Sequence, residues 1–453
     1  MLRRILVANR GEIAVRVIRA VHELGLEAVA VYSTADEDAL HVRLADRAVR
    51  IGPPPAAQSY LSIPSVVAAA KTTGCDGVHP GYGFLAENPA FVCACEENDL
   101  VFVGPDADVM ERMGDKVQAK AELRAAGVPV VPGTEGSTAA AEARTAAADL
   151  GYPVLLKATA GGGGKGMRLV DDPAGLEGAF QTASAEALAA FGDGSLYVEK
   201  AIAPARHVEV QVLCDGQGGV LTLGERECSI QRRHQKLIEE SPSPALTAEL
   251  REEMEAAAER ACRAIGYRNA GTFEFLVGPD GGFYFIELNA RLQVEHPVSE
   301  LTTGIDLVYG QLRVAGGEPL ALTGRAPRRG HAIEFRINAE DPTRGFAPAP
   351  GTIERFRPPL GPGVRVDTAV EDGTAIPPYY DSLLAKVVVW ADDRHGAIAR
   401  GRRALAELEV AGVPTTRQLE LDILGSEPFV AGRYSTGYLD EAEALLPSLA
   451  GAA

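Results

Sequence analysis

GTFEFLVGPDGGFYFIELN, residues 271–289, reads as two strand patterns on either side of Asp280-Gly281. An Asp-Gly pair between alternating apolar residues is a strong signal for a two-residue hairpin turn. Such a turn sets Glu274 directly opposite Glu287. Two carboxylates facing each other across a hairpin repel. Their placement makes sense if a divalent cation lies between them, since hard oxygen ligands suit the magnesium that accompanies a nucleotide. The bland alternative is an edge ribbon with both side chains in solvent.

The alternation continues past the hairpin. Glu287, Asn289, Arg291, Gln293 and Glu295 are polar, while Leu288, Ala290, Leu292 and Val294 are apolar. An extended segment would put the five polar groups on one face. A solvated strand could give the same pattern. A ligand pair, an anion-binding arginine and a carboxylate base in one line are nevertheless what phosphoryl transfer to an oxyanion needs.

Upstream lies KATAGGGGKGMR, residues 157–168. Glycines let backbone amides wrap an anion without side-chain obstruction. Gly166 stands where a Walker A loop needs Ser or Thr, and a strand pattern follows rather than a helix. The expectation is a strand–loop–strand flap over a phosphate, with Lys157 on the incoming strand; the alternative is a flexible linker. A third cluster, Glu227 to Lys236 (ECSIQRRHQK), offers cations for bicarbonate or phosphate, or else a solvated charged loop.

The N-terminal part alternates strand and helix: ILVA (5–8), a helical pattern over 12–24, EAVAVY (27–32), then GVHPG and LVFVG. This predicts a doubly wound parallel sheet to about Met113. No GxGxxG turn supports a dinucleotide site. Texture changes from Val131 to about Lys200, and a third region begins near Arg329 and ends in a helix-rich tail.

With 44 basic and 62 acidic residues the net charge is -18, which argues against a nucleic-acid partner. The six cysteines show no metal spacing and read as reduced thiols of a cytoplasmic protein. The uncharged run 51–70 contains Pro53, Pro54, Pro55 and Pro64 and does not suit a membrane. No signal peptide is expected.

ILVANRGEIAVRVIRA, HPGYGFLAENPAF, MGDK, KATAGGGGKGMR, RHVEVQV, ERECSIQRRHQK, GTFEF, FIELNARLQVEHPVSE, RINAEDP and PPYYDS occur in this order between Ile5 and Ser382, within a likeness that extends from about residue 3 to beyond 420. Together they resemble the biotin carboxylase family of the ATP-grasp superfamily. The resemblance implies an α/β and α+β multidomain fold. It would comprise a Rossmann-like N-terminal domain (1–113), an ATP-grasp domain (114–330) with a mobile lid at about 131–203, and a biotin carboxylase C-terminal domain (331–453).

It also implies roles. Lys116 and Lys157 match ATP-phosphate lysines, and Gly161, Gly162, Gly163 and Gly164 the lid loop. Glu199, Lys200 and Ile202 match the adenine hinge, with His207, Gln231 and His234 nearby. Glu274, Glu287 and Asn289 match the metal site for magnesium or manganese. Lys236, Arg291, Gln293 and Val294 match the bicarbonate pocket, Glu295 the general base, and Arg336 the arginine that stabilises the biotin enolate. Three positions depart from the common pattern: Ala86, Ala290 and Phe335, the last expected to reshape the biotin pocket.

The implied reaction is carboxylation of biotin by ATP and bicarbonate through carboxyphosphate. None of the five methionines precedes a lysine, so biotin is expected on a separate biotin carboxyl carrier protein. A carboxyltransferase would act next, acetyl-CoA carboxylase being the first expectation, and a homodimer is expected. The competing readings are another ATP-grasp carboxylate ligase and a non-catalytic nucleotide-binding scaffold.

Overall fold

The computed structural model describes residues 2–134, 136–159 and 167–449. Five parallel strands come first, in the order Arg47–Gly52, Glu27–Ser33, Arg4–Val7, Gly77–His79, Val101–Phe102. Ile5, Leu6 and Val7 are fully covered, as expected of a sheet packed on both faces. Helix Gly11–Glu23 buries Ile13, Val17 and Val21 at helical spacing. The strand order reverses beside Arg4–Val7, which opens a crevice at the carboxyl ends of the strands. Glu12, Tyr82 and Glu87 come from the segments that follow two of these strands.

The second sheet is large and mainly antiparallel. It runs Phe283–Asn289, Asn269–Val277, Arg206–Cys214, Val220–Arg232, Gln235–Ser241, His331–Asn338, Leu383–Ala391, Val364–Thr368, with Gly324–Arg325 joined to Val220–Arg232 off this path. The expected boundary at 330/331 therefore falls inside one continuous sheet, where Ile238 pairs with Phe335 and Ser241 with Ala332. Period-two alternation sorts its faces. Val208, Val210, Phe273, Phe275 and Phe285 enter one apolar core. His207, Glu209, Gln211, Thr272 and Glu274 occupy the intervening positions and are also buried.

Glu274 does pair with Glu287, but the expected two-residue turn does not form. Gly278 donates to Gly282 and Gly281 to Gly278, with Gly281 at φ 82°. This is a longer, three-residue loop with glycine in the left-handed position. It shifts the register by one residue, so that Phe275 faces Phe285. An irregularity between Glu274 and Phe275 shifts it back.

A third, small antiparallel sheet is formed by Arg168–Val170, Val154–Ala158 and Leu196–Lys200. Helices Ala140–Leu150 and Leu176–Phe191 cover it around a core of Ala143, Val154, Leu156, Leu176 and Val198. Leu156 pairs with Arg168, so the glycine run joins two paired strands. Gly161–Gly164 themselves lie outside the described residues.

Phe335 is fully buried in the core that includes Ala397, Ala404 and Leu405 of helix Arg394–Glu407. It packs against Gly401 and is core rather than pocket wall, contrary to the sequence expectation. All six cysteines are free. Among the described residues, no helix is long and apolar enough to cross a membrane.

Candidate active site

One cleft of about 1030 Å³ brings most of the expected side chains together. Lys116, Lys157, Ile202, His207, Gln231 and His234 line it, as do Lys236, Glu274, Glu287, Asn289, Arg291, Gln293, Val294, Glu295 and Arg336. Glu199 lies beside it in a smaller cavity that shares Lys116. Lys200 turns its ammonium away, to the carbonyls of Gly151 (2.8 Å) and Tyr152 (3.3 Å).

Lys236 is the electrostatic centre. Strand Gln235–Ser241 carries its Nζ to Glu209 Oε2 at 2.6 Å, Glu274 Oε1 at 2.9 Å and Glu295 Oε1 at 2.6 Å. Burial disfavours this ammonium, but Glu209, Glu274 and Glu295 outweigh burial and raise its pKa well above the ordinary lysine value. The other Glu295 oxygen accepts from Arg336 Nη2 at 2.9 Å, and Arg336 Nε donates to Glu239 at 2.6 Å. Burial also works against a charged Glu295. Lys236, Arg336 and Arg226 more than offset it and hold the carboxyl far below its usual range.

The sequence reading extended a strand through Glu295. The strand stops at Asn289, and 290–295 form an irregular turn into helix His296–Thr303. Its polar groups converge all the same. Gln293 Nε2 and Asn289 Nδ2 both donate to Glu274 Oε1 at 2.9 Å. Arg291 donates from Nη2 to Asn289 Oδ1 and from Nε to Glu87 Oε2, each at 2.9 Å.

Three residues missed in the sequence support this group. Arg226, 0% exposed, contacts Glu209 and donates to Gln211 (2.6 Å), Gln293 Oε1 (2.7 Å) and Ser299 (3.0 Å). An arginine only donates, so it fixes the Gln293 amide with its oxygen inward and its Nε2 toward the cleft. Glu209 shares Lys236, and Glu87 holds Arg291. The alternation of RHVEVQV was the one local hint of Glu209; the other two pairings span long sequence separations.

The Glu227–Lys236 run is no free loop. Arg232 pairs with Gln235 around Arg233 (φ 48°) and His234 (φ 68°), a two-residue turn with both residues left-handed. Arg232 stacks over Phe346 at 4.3 Å and donates to Gly345 O at 2.7 Å. A segment that follows strand Glu340–Asp341 thus clasps the hairpin that presents His234 and Lys236.

For a divalent ion, Glu274 and Glu287 face each other at the cleft, with Asn289 beside them. Lys116 Nζ approaches Glu287 only to 3.8 Å, so Glu287 has oxygen to offer, whereas Glu274 Oε2 lies 3.0 Å from His207 Nε2 and its Oε1 accepts from Lys236, Asn289 and Gln293. Two other groups of ligand atoms lie within 4.8 Å, His207–Glu209–Glu274 and Glu209–Cys228–Glu295. Lys236 bonds two carboxylates of each, so the charge there is already balanced by the chain itself. In the adjoining smaller cavity, Glu199 contacts Lys120 and lies 3.0 Å from Lys157 Nζ.

Comparison with known proteins agrees along the chain. Residues 1–110 match the biotin carboxylase N-terminal domain, 115–323 the ATP-binding domain of the carbamoyl-phosphate synthase L chain, and 334–441 the biotin carboxylase C-terminal domain. A biotin carboxylase of Nostoc is 52% identical, over 97% of this chain and 98% of its own length. The Campylobacter jejuni biotin carboxylase–β,γ-ATP complex superposes with a TM-score of 0.95 at 47% identity, covering 97% of this chain and 99% of that one. The biotin carboxylase domain dimer of Hydrogenobacter thermophilus 2-oxoglutarate carboxylase, with MgADP, ADP and bicarbonate, gives 0.94 at 48%, covering 98% and 99%.

Proposed function

The chain belongs to the biotin carboxylase family, and from that premise we propose how this cleft carboxylates biotin at the expense of ATP. The observation that carries the reading is the meeting of Lys236, Glu295 and Arg336 on one side of the Glu274/Glu287 pair. A base, an anion site and a metal–nucleotide site are then adjacent.

Glu274 and Glu287, with Asn289 beside them, would hold magnesium or manganese. The ion neutralises phosphate charge and orients the nucleotide when bound. Lys116 and Lys157 offset charge on the transferred phosphoryl group, and Ile202, His207, Gln231 and His234 border the nucleotide. Glu199 and Lys200 contribute at the hinge, Lys200 through its main chain. Arg291, Lys236 and the outward Gln293 amide take bicarbonate. Glu295 accepts the bicarbonate proton as the oxygen attacks the γ-phosphoryl group, giving carboxyphosphate and ADP. As the anion enters, it shares Arg336 and Lys236 and loosens their hold on Glu295, which raises its basicity. Carboxyphosphate then releases carbon dioxide and phosphate. The phosphate removes the ureido proton of biotin, and Arg336 supports the resulting anion as it attacks carbon dioxide.

We assign three domains, 1–113, 114–330 with a lid at 131–203, and 331–453, an assignment supported by the matched family segments. The partners proposed are a biotin carboxyl carrier protein, a carboxyltransferase and a second copy of the chain. Acetyl-CoA is the acceptor to test first. The Hydrogenobacter relative makes a 2-oxo acid the second.

The test is phosphate release from Mg-ATP with and without bicarbonate and free biotin, for the wild type and Glu295→Gln. Release that requires both substrates and falls at least about 10²-fold in the variant supports the reading. Release indifferent to bicarbonate but driven by another carboxylate would assign a different ligase, and ATP binding without turnover a scaffold.

A further inference from the structure

Lys386 is a fully buried charge that the reaction scheme leaves unused. It sits on strand Leu383–Ala391 opposite Arg336. Its Nζ is 3.2 Å from Glu12 Oε1 and 3.7 Å from Asp367 Oδ2. Tyr82 donates to the same Glu12 oxygen. Burial disfavours the ammonium, but Glu12, Glu334 and Asp367 together raise its pKa and keep it charged. A structural ion pair needs no more than this. Lys386 also donates to the main-chain carbonyl of Val294 at 2.9 Å.

That carbonyl belongs to the peptide joining Val294 to Glu295. In a trans peptide the C=O and the following N–H point in opposite directions. Drawing the carbonyl toward the buried ammonium turns the Glu295 N–H away from Lys386, in a turn whose Gln293, Val294 and Glu295 all line the cleft. Among the described residues nothing accepts a hydrogen bond from this N–H. The turn is fixed at its other end, where His296 Nδ1 donates to the Gln293 carbonyl at 2.7 Å, and through Arg226, which holds the Gln293 amide oxygen.

We infer that Lys386, held by Glu12, is a positioning residue that fixes the Val294–Glu295 peptide so that its N–H serves the anion bound beside Arg291 and Gln293. The inference rests on the bicarbonate reading above. It gives the third region a part in anion binding: a side chain of its sheet and one from the first helix jointly set a main-chain donor in the middle of the chain.

The experiment measures initial rates against bicarbonate and against ATP for the wild type, Lys386→Met, Lys386→Arg and the double variant Lys386→Met/Glu12→Gln. The double variant removes the carboxylate that the single one would strand, and carries the comparison if Lys386→Met does not fold. Loss of one well-placed donor to an anion is expected to raise the KM for bicarbonate about tenfold or more. The KM for ATP should stay within about twofold, and Lys386→Arg should recover part of the loss. An unchanged bicarbonate KM in a folded variant would overturn the inference. So would KM values for ATP and bicarbonate that rise together with a lowered Tm, which marks a merely structural role. A wild type with no bicarbonate dependence would instead refute the proposed function and take this inference with it.

Discussion

Lys236 shares three buried carboxylates, and Glu295 is shared in turn by Lys236 and Arg336. Every strong charge in the proposed anion pocket is thus paired within the chain itself, which limits the cost of burying it. Glu287 is the exception, for its nearest cation is Lys116 at 3.8 Å and it faces Glu274. Glu287→Gln should therefore leave the metal-free protein as stable as the wild type or slightly more so, because a like-charge pair is removed. The thermal shift given by Mg-ADP should largely vanish. Melting curves with Mg-ADP and with EDTA check both halves; a retained Mg-ADP shift would contradict the metal assignment. The opposition of these glutamates was legible in the sequence. Arg226 and Lys386 were not, because partners such as Gln293 and Glu12 lie far off in sequence, and for Glu209 the alternation of RHVEVQV was the only local hint.

At the scale of elements, the hairpin shows how a correct pairing came from an incomplete premise. The loop is a residue longer than Asp280-Gly281 alone suggested, and the irregularity next to Phe275 cancels the difference. The polar alternation after Asn289 matches a strand pattern although the strand ends there, because a turn held by side-chain bonds can also place alternate residues on one side. Element packing also sets a pH dependence. Glu240 on strand Gln235–Ser241 accepts from His331 at 2.6 Å and from Arg394 Nε of the covering helix at 2.7 Å, and contacts Tyr434. Burial disfavours its charge, but the bonds from His331 and Arg394 win and lower its pKa from 4.5 to about 2. A depressed carboxylate pKa gives stability that is present above the unfolded value and lost as pH falls through the folded one. Here that is about 3 kcal/mol, in place above pH ~4.5 and fading toward pH ~2. Glu240→Gln should lower the unfolding free energy at pH 7 by at least that amount, since Arg394 and His331 lose their partner, and the gap should narrow by pH 3. Denaturant unfolding at both pH values measures it; a gap independent of pH would rule out the charge as its source.

For the whole molecule, two sheets line one cleft and the parallel sheet backs it. The parallel sheet brings Glu12 and Glu87, the large sheet brings the carboxylates and cations, and the small sheet brings Lys157. The small sheet has its own slight core, largely alanine and valine, and the segment before it bridges Phe285 of the large sheet through Val130 and the small sheet itself through Gly133–Glu199 and Thr138–Leu196. Few buried apolar contacts imply low local stability. Amides of residues 140–159 and 167–200 should exchange faster than those of the large sheet, and Mg-ADP should slow them; equal protection without nucleotide would argue against a moving lid. The order of regions was readable from strand–helix alternation and the ten motifs. The continuity of the large sheet across 330/331 was not, because periodicity reports a strand but not its neighbour.

The most direct measurement of the central claim is transfer of label from 14C-bicarbonate to free biotin in the presence of Mg-ATP. Acid-labile, biotin-bound label that appears with ADP in about equal amounts, and is absent without ATP or in Glu295→Gln, is the result expected. ATP cleavage with no label on biotin would contradict it and reduce the cleft to a bicarbonate-dependent ATPase.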